Sequence, residues 1–154
     1  MQSKKEFLDD IAVSLGGYIA EKMIYDDITT GASNDLQVLT ALARDMVAKY
    51  GMSDKFGPVA LDPAIGRTLF GAGVEPHQQS QEIASAIDAE VKAIIDDAHK
   101  RALEVMTTHR KALDAIAMAL VEVENLEREP FELILIEHGI VPKKKQDIEH
   151  APLA

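Results

Sequence analysis

The sequence contains no cysteine and no tryptophan among its 154 residues, and only 5% of the residues are aromatic. Without cysteine, neither a disulfide framework nor a thiolate metal site is possible. The hydrophobic share of 47% consists mainly of Ala, Ile, Leu, Val and Met, which favours packed helices over a β-sandwich. This hydrophobic content is enough to form a core. The length of the chain suits one compact domain, or a core with an extended element.

Basic residues are also scarce, since 26 acidic residues against 16 basic ones give a net charge of −10. A surface that follows phosphates needs clustered Lys and Arg. The tight basic cluster here is Lys143, Lys144 and Lys145. We interpret it as a solvated tail, with a membrane-surface or partner contact as the alternative. We therefore expect no nucleic-acid partner.

Long apolar runs are missing as well. Runs such as residues 133–136 fall far short of the roughly 18 residues that a membrane span needs. The N-terminus, MQSKKEFLDD, has no apolar core of a signal peptide. The chain as given is therefore predicted to be soluble and to reside in a reducing compartment.

Two N-terminal helices are predicted within residues 7–50, because apolar residues recur there at three- and four-residue steps. The first spans 7–25, and Gly16 and Gly17 interrupt it at about 1 kcal/mol each relative to Ala. We interpret this pair as a close approach by a neighbouring helix; the alternative is a functional hinge. The second helix follows a loop, with Asn34 and Gln37 as a capping box and Gly51 at its end. The predicted stripes are Leu8, Ile11, Ala12, Leu15, Ile19 and Met23, then Leu36, Leu39, Ala43, Val47 and Tyr50.

The remainder of the chain is predicted to be a loop followed by long helices. Residues 51–79 are rich in Gly and Pro and predict a loop, with one short strand or turn, that is functional or a flexible lid. Residues 80–123 carry apolar stripes that predict a long antiparallel hairpin, or one long helix with a break near Arg110. A last helix is predicted from an Asn125 cap to Gly139, and residues 140–154 are predicted to be a disordered tail. The expected fold is therefore all-α, with a compact helical bundle, a Gly/Pro-rich loop and a long C-terminal helical hairpin.

The stretch TTGASNDLQ, residues 29–37, places a carboxylate at the start of the second helix. Backbone N–H groups and the helix dipole favour Asp35 there. If Asn34 or Ser33 caps the helix, the Asp35 side chain stays free, and a free carboxylate at a loop–helix junction also suits a metal ion. The residues alone leave both roles open.

The histidines offer no local metal site. No pair has the i,i+4 spacing of a zinc-binding HExxH helix, and His99 and His109 are about 15 Å apart along a helix. All five are interpreted as solvated surface residues: His77, His99, His109, His138 and His150.

The string LGGYIAEKMIYDDITTGASNDLQVLTALARDMVAKYGMSDKFGPV, residues 15–59, resembles the peptidase domain of the FtsH family. Residues 87–122 resemble the long C-terminal helices of that domain, and the resemblance extends over residues 7 to about 137. Leu-Gly-Gly, Thr-Thr-Gly-Ala-Ser-Asn-Asp and Tyr-Gly-Met-Ser together form a specific combination. Members of this family are membrane-anchored, ATP-dependent zinc metalloproteases of bacteria, mitochondria and chloroplasts.

The resemblance implies that Asp35 is the third zinc ligand, with Thr29, Thr30, Gly31 and Asn34 in the loop beside it. In the family, an HExxH segment upstream of Leu-Gly-Gly supplies two histidine ligands and the general base. This sequence has no such segment, so it contains no assigned catalytic residue. Residues 1–139 are therefore expected to be the C-terminal helical region of the peptidase domain, inactive alone and holding no zinc tightly.

For the full-length protein, the resemblance implies zinc, with ATP and Mg at an upstream module. It also implies a hexamer, and substrates that are unfolded or membrane proteins. This domain would lie on the cytoplasmic, matrix or stromal side of the membrane. The alternative is a non-catalytic helical module that oligomerises or docks a partner.

Overall fold

The computed structural model describes residues 1–61 and 81–142, and these ranges contain helices and no strand. The helices are α1 (Lys4–Ser14), α2 (Gly16–Tyr25), a 3₁₀ helix (Thr30–Ala32), α3 (Ser33–Ala48), α4 (Gln81–Thr108), α5 (Arg110–Val123) and α6 (Arg128–Glu137). The predicted all-α fold is confirmed. The predicted loop beyond residue 61 and the tail from residue 143 lie outside the described residues. No helix in the described part of the chain combines the length and apolar character that crossing a membrane requires.

The chain forms two compact units, Met1–Glu104 and Val105–Ala154. In the first unit, α1 packs against α3. Ile11 on α1 is 0% exposed and Leu39 on α3 is 1% exposed. Burying a side chain of this size contributes about 1.5–3 kcal/mol. Much of the predicted stripes is therefore core, including Ile11, Leu15, Ile19, Leu39, Ala43 and Val47. Phe7 and Met46 are also buried, although the stripes omitted them, and α4 adds Ile87, Val91, Ala98 and Ala102.

The predicted single helix over residues 7–25 is wrong, because the chain forms two helices separated at Leu15. This residue ends α1 and precedes α2 with φ −77° and ψ −11°. A Cβ added at Gly16 or Gly17 would have no atom within 4 Å, so the predicted close approach of a helix is also wrong. The glycines instead begin α2, where their weak helix propensity favours a break.

The first helix also begins earlier than predicted, at Lys4, because Ser3 forms a capping box that the apolar pattern did not reveal. The Ser3 hydroxyl accepts from the Glu6 N–H (3.3 Å), and the Ser3 N–H donates to the Glu6 carboxylate (2.6 Å). These two hydrogen bonds satisfy N–H groups that a helix start leaves unpaired. Both bonds lower the pKa of Glu6 below its ordinary value, and the bond from the Ser3 backbone N–H has the larger effect.

The third helix ends at Ala48, and Gly51 follows it with a φ of +62°. Gly51 has the left-handed conformation expected of a glycine after a helix. It is the second residue after the cap, Lys49, rather than the first, because the helix ends earlier than predicted. A Cβ at Gly51 would also come within 3.2 Å of the Val59 backbone N. The chain therefore turns tightly here, and residues 51–61 contain a turn but no strand.

Polar contacts join α4 to the helices that precede it in the first unit. Ser53 is the buried polar residue of the described core, at 4% exposed, and its hydroxyl donates to Glu90 on α4 (2.7 Å). Arg44 on α3 donates to Asp88 (2.8 Å). An exposed ion pair such as Arg44–Asp88 contributes about 0–1 kcal/mol, so it adds little to the stability of the unit.

In the second unit, α5 and α6 contact each other. The break predicted near Arg110 is confirmed, since His109 separates α4 from α5. The predicted Asn125 cap is wrong: α6 begins at Arg128 after Glu127, and the Asn125 N–H instead donates to the carbonyl of Val123. Gly139 ends the helix as predicted, with a φ of +77°. The N–H groups of residues 139 and 140 then bond back to the carbonyls of 136 and 135, which is a Schellman ending.

Substitution of Ile11 by Ala should lower the free energy of unfolding by about 2–5 kcal/mol, because it leaves a cavity in the α1–α3 contact. Val13→Ala is the matched control on the same helix, since Val13 is 77% exposed and its change should stay within about 0.5 kcal/mol. Urea unfolding followed by circular dichroism measures both. Equal losses for the two variants would contradict this description of the core.

Candidate metal-ligand site

Asp35 lies in the first turn of α3, and its side chain is exposed. The helix begins at Ser33, and the preceding residue, Ala32, makes no side-chain capping bond. The predicted capping box of Asn34 and Gln37 is therefore wrong. Both residues lie inside the helix, because the 3₁₀ helix continues directly into α3 and moves the helix start upstream.

The Asp35 carboxylate has no hydrogen-bond or ion-pair partner within residues 1–61 and 81–142. It lies beside N–H groups of the first helical turn, which have no partner within the helix. The helix dipole stabilises a negative charge at this end. Within the described residues, therefore, the side chain has no polar partner to give up before it binds a ligand.

The turn in front of α3 is held by Thr29. The Thr29 hydroxyl accepts from the Gly31 N–H at 3.0 Å and so caps the 3₁₀ helix. The Thr30 carbonyl accepts from the Ser33 N–H. Ala32 is 4% exposed and fixes the turn to the core. The loop residues named from the sequence therefore form one continuous turn that leads into the helix bearing Asp35.

Glu21 on α2 is a second carboxylate beside this turn, and the sequence analysis did not identify it. Its Oε2 atom accepts from both the N–H and the hydroxyl of Thr29, at 2.9 and 3.0 Å. In the sequence, Glu21 is one acidic residue of α2, next to Lys22, and nothing in its spacing indicates a contact with Thr29. The two carboxylates differ in their hydrogen-bond partners. That of Glu21 is bonded to Thr29, whereas that of Asp35 has no polar partner within the described residues.

The described histidines do not join Asp35. His109 is exposed, as expected. The prediction of solvated surface side chains is wrong for His99 and His138, which are half-buried. His99 contacts the ring of Tyr18 edge-on at 6.1 Å between centroids, and Nδ1 of His138 bonds to the carbonyl of Ile134. His77 and His150 lie outside the described residues.

The structure is thus an all-α domain in which a turn containing Gly31 precedes a helix with a carboxylate in its first turn. Comparison with known proteins identifies the class of protein. Residues 1–134 match peptidase family M41. The chain therefore belongs to this family of peptidases.

The relatives of the chain carry more specific names. It is 40% identical over 136 residues to ATP-dependent zinc metalloprotease FtsH 1 of Sphaerobacter thermophilus, with 88% of this chain and 21% of that protein covered. It is 41% identical over 138 residues to FtsH 3 of Synechocystis sp., covering 88% and 22%. It is also 40% identical over 145 residues to FtsH of Bacillus subtilis, covering 93% and 23%. The chain thus spans about a fifth of the length of these relatives.

The described residues do not by themselves form the zinc site that the names of these relatives imply. They contain no group of three or more His, Asp or Glu side chains placed to share an ion. A catalytic zinc needs three protein ligands and an open position. Asp35 fits the chemistry of one such ligand.

Substitution of Asp35 by Asn should lower the free energy of unfolding of this chain by about 0.3–1 kcal/mol, because it removes only the charge at the helix start. The loss should shrink in 1 M salt, where such exposed charges are screened. Urea titrations at low and high salt measure it. A loss that does not change with salt would instead indicate a capping hydrogen bond from Asp35.

Proposed function

We propose that this chain is the C-terminal part of the proteolytic domain of an ATP-dependent zinc metalloendopeptidase, and that Asp35 supplies the third zinc ligand. The observation that carries the proposal is the exposed Asp35 carboxylate at the start of α3, which has no polar partner within residues 1–61 and 81–142. The turn before it matches the Thr-Thr-Gly-Ala-Ser-Asn-Asp motif of the family. Membership of peptidase family M41 supports the assignment.

The other ligands would come from an upstream HExxH segment, as the family resemblance implies. Two histidines one helical turn apart and one distal carboxylate make the three-ligand set of a catalytic zinc. When bound, the zinc activates a water molecule for attack on a peptide carbonyl. Asp35 would supply the third ligand, from a position well downstream of the two histidines in the chain. Its place in the first turn of α3 would limit the directions in which its carboxylate can reach.

The full protein is proposed to form a hexamer of identical subunits and to degrade unfolded or membrane proteins in protein quality control. ATP and Mg would bind to an upstream module. A feature of the second unit supports contact with other subunits: its helices expose large apolar side chains, among them Met118 (68%), Val121 (83%) and Leu133 (61%). Apolar surface of this kind is typical of an interaction site when it is contiguous.

A second candidate function is a non-catalytic helical module that oligomerises or docks a partner. The lack of a three-ligand group within the described residues favours it for this chain alone. A longer chain that includes an upstream HExxH segment distinguishes the two functions. Such a chain should bind zinc and cleave proteins only if this one is part of a peptidase domain.

The isolated chain should not cleave an unfolded protein such as casein, even with added zinc. The sequence has no HExxH segment, so it lacks two ligands and the general base together. Release of fluorescent peptides from labelled casein measures the reaction, with buffer as the control. Hydrolysis above buffer that a chelator abolishes would show that this chain carries a complete site of its own.

The isolated chain should also hold no stoichiometric zinc, and Asp35→Ala should barely change its metal content, since one carboxylate binds zinc weakly. In a longer chain with the upstream HExxH segment, the same substitution should remove the zinc and abolish proteolysis. Mass spectrometry of the metal content of both chains, with and without the substitution, measures this. If the longer wild-type chain holds one zinc and its Asp35→Ala variant retains it, Asp35 is not a ligand.

A further inference from the structure

The carboxylate of Glu21 holds the turn before α3 by two direct hydrogen bonds and one relayed bond. Its Oε2 accepts from the N–H and from the hydroxyl of Thr29, at 2.9 and 3.0 Å. The same hydroxyl accepts from the Gly31 N–H at 3.0 Å. Hydrogen bonds to an ionised acceptor are shorter and stronger than neutral ones, and a hydroxyl that both donates and accepts passes the polarisation on. A single side chain of α2 therefore orders both ends of the turn.

A glycine at position 31 is favoured by this contact rather than by its backbone angles. A Cβ added at Gly31 would lie 2.9 Å from Oε1 of Glu21 and 3.1 Å from the Thr29 hydroxyl, and Gly31 does not have the positive φ of Gly51, Gly57 and Gly139. An alanine at this position would require Oε1 of Glu21 to shift, and we expect that shift to weaken the bonds between Oε2 of the same carboxylate and Thr29. Gly31 and Glu21 thus form one lock on the turn.

The lock matters for Asp35 because little else orients it. The residue before α3 makes no side-chain capping bond, and the Asp35 carboxylate has no polar partner within the described parts of the chain. The orientation of the Asp35 side chain therefore depends on the backbone of the first turn of α3. That backbone follows directly from the turn that Glu21 holds on one side and buried Ala32 on the other.

We propose that Glu21 is a positioning residue: it locks the Thr29–Gly31 turn and thereby fixes the backbone from which Asp35 reaches a metal ion. The role of the lock in the turn is independent of the proposed function, and its effect on metal affinity rests on that function. The proposal gives Glu21 no direct contact with the metal ion, and its Oε2 atom serves the two Thr29 donors.

The lock is tested first in this chain, by amide hydrogen exchange measured with NMR. Glu21→Ala should speed exchange of the Thr29 and Gly31 amides by about tenfold, as expected when local hydrogen bonds open, and leave the Met46 amide in the core of α3 unchanged. Gly31→Ala should give the same loss, and the double variant should show no additional one. Gly17→Ala is the matched control, since a Cβ there meets no atom. Unchanged Thr29 and Gly31 amides in Glu21→Ala, or additive effects in the double variant, would overturn the lock.

The effect on metal binding is tested in the longer chain that carries an HExxH segment, by competition for zinc with a chelator. Glu21→Ala should weaken zinc binding by about 10–100-fold, the usual range for residues that orient a ligand, with the thermal midpoint little changed. Glu21→Gln should restore most of the affinity, because its amide oxygen can accept both Thr29 hydrogen bonds. If Glu21→Gln loses as much zinc as Glu21→Ala, Glu21 acts as a ligand and the positioning role is wrong.

Asp35→Ala separates the two proposals in the same experiment. If Asp35→Ala removes zinc and Glu21→Ala has no effect on affinity, the positioning role fails and the proposed function stands. If Asp35→Ala leaves zinc affinity unchanged, the proposed function fails, whereas the exchange data still decide whether Glu21 locks the turn.

Discussion

The packing of α1 against α3 is the contact on which the first unit depends. It removes Ile11, Leu39, Ala43 and Met46 almost completely from solvent. Well-packed apolar contacts of this kind lose several kcal/mol when a single large side chain is truncated, whereas each exposed ion pair contributes about 1 kcal/mol or less. The position of α3 as a whole is therefore set by the core.

Around this core, polar contacts specify how the neighbouring segments are arranged. Ser53 is the clearest example, because its hydroxyl donates to Glu90 and accepts from the N–H groups of Lys55 and Phe56. A buried hydroxyl with unsatisfied hydrogen bonds would be costly, so one side chain connects the turn after α3 to α4. Glu21 does the same for the turn before α3, from α2. Both ends of α3 are thus connected to neighbouring helices by a carboxylate.

The two carboxylates near the start of α3 show how a fold divides roles between similar groups. Glu21 and Asp35 have the same chemistry in isolation. Glu21 points at two donors of Thr29 and is occupied, whereas Asp35 is exposed at a helix end that favours its charge without engaging its oxygens. A free, charged and oriented carboxylate suits a metal ligand, and an occupied one suits the support of its neighbour.

The sequence by itself determined the helical class, much of the buried stripes and the glycine turns that follow α3 and α6, at Gly51 and Gly139, because periodicity and glycine conformation are local properties. It also identified Asp35 as a helix-start carboxylate, although only the family resemblance assigned a metal to it. Gly16 and Gly17 also marked an interruption of the first predicted helix, close to the observed break at Leu15. Only the tertiary structure decided the two hydrogen bonds from Thr29 to Glu21. These depend on which segments the core brings together. Spacing along the chain does not predict such a contact, because the packing of α2 beside the turn brings Glu21 and Thr29 together.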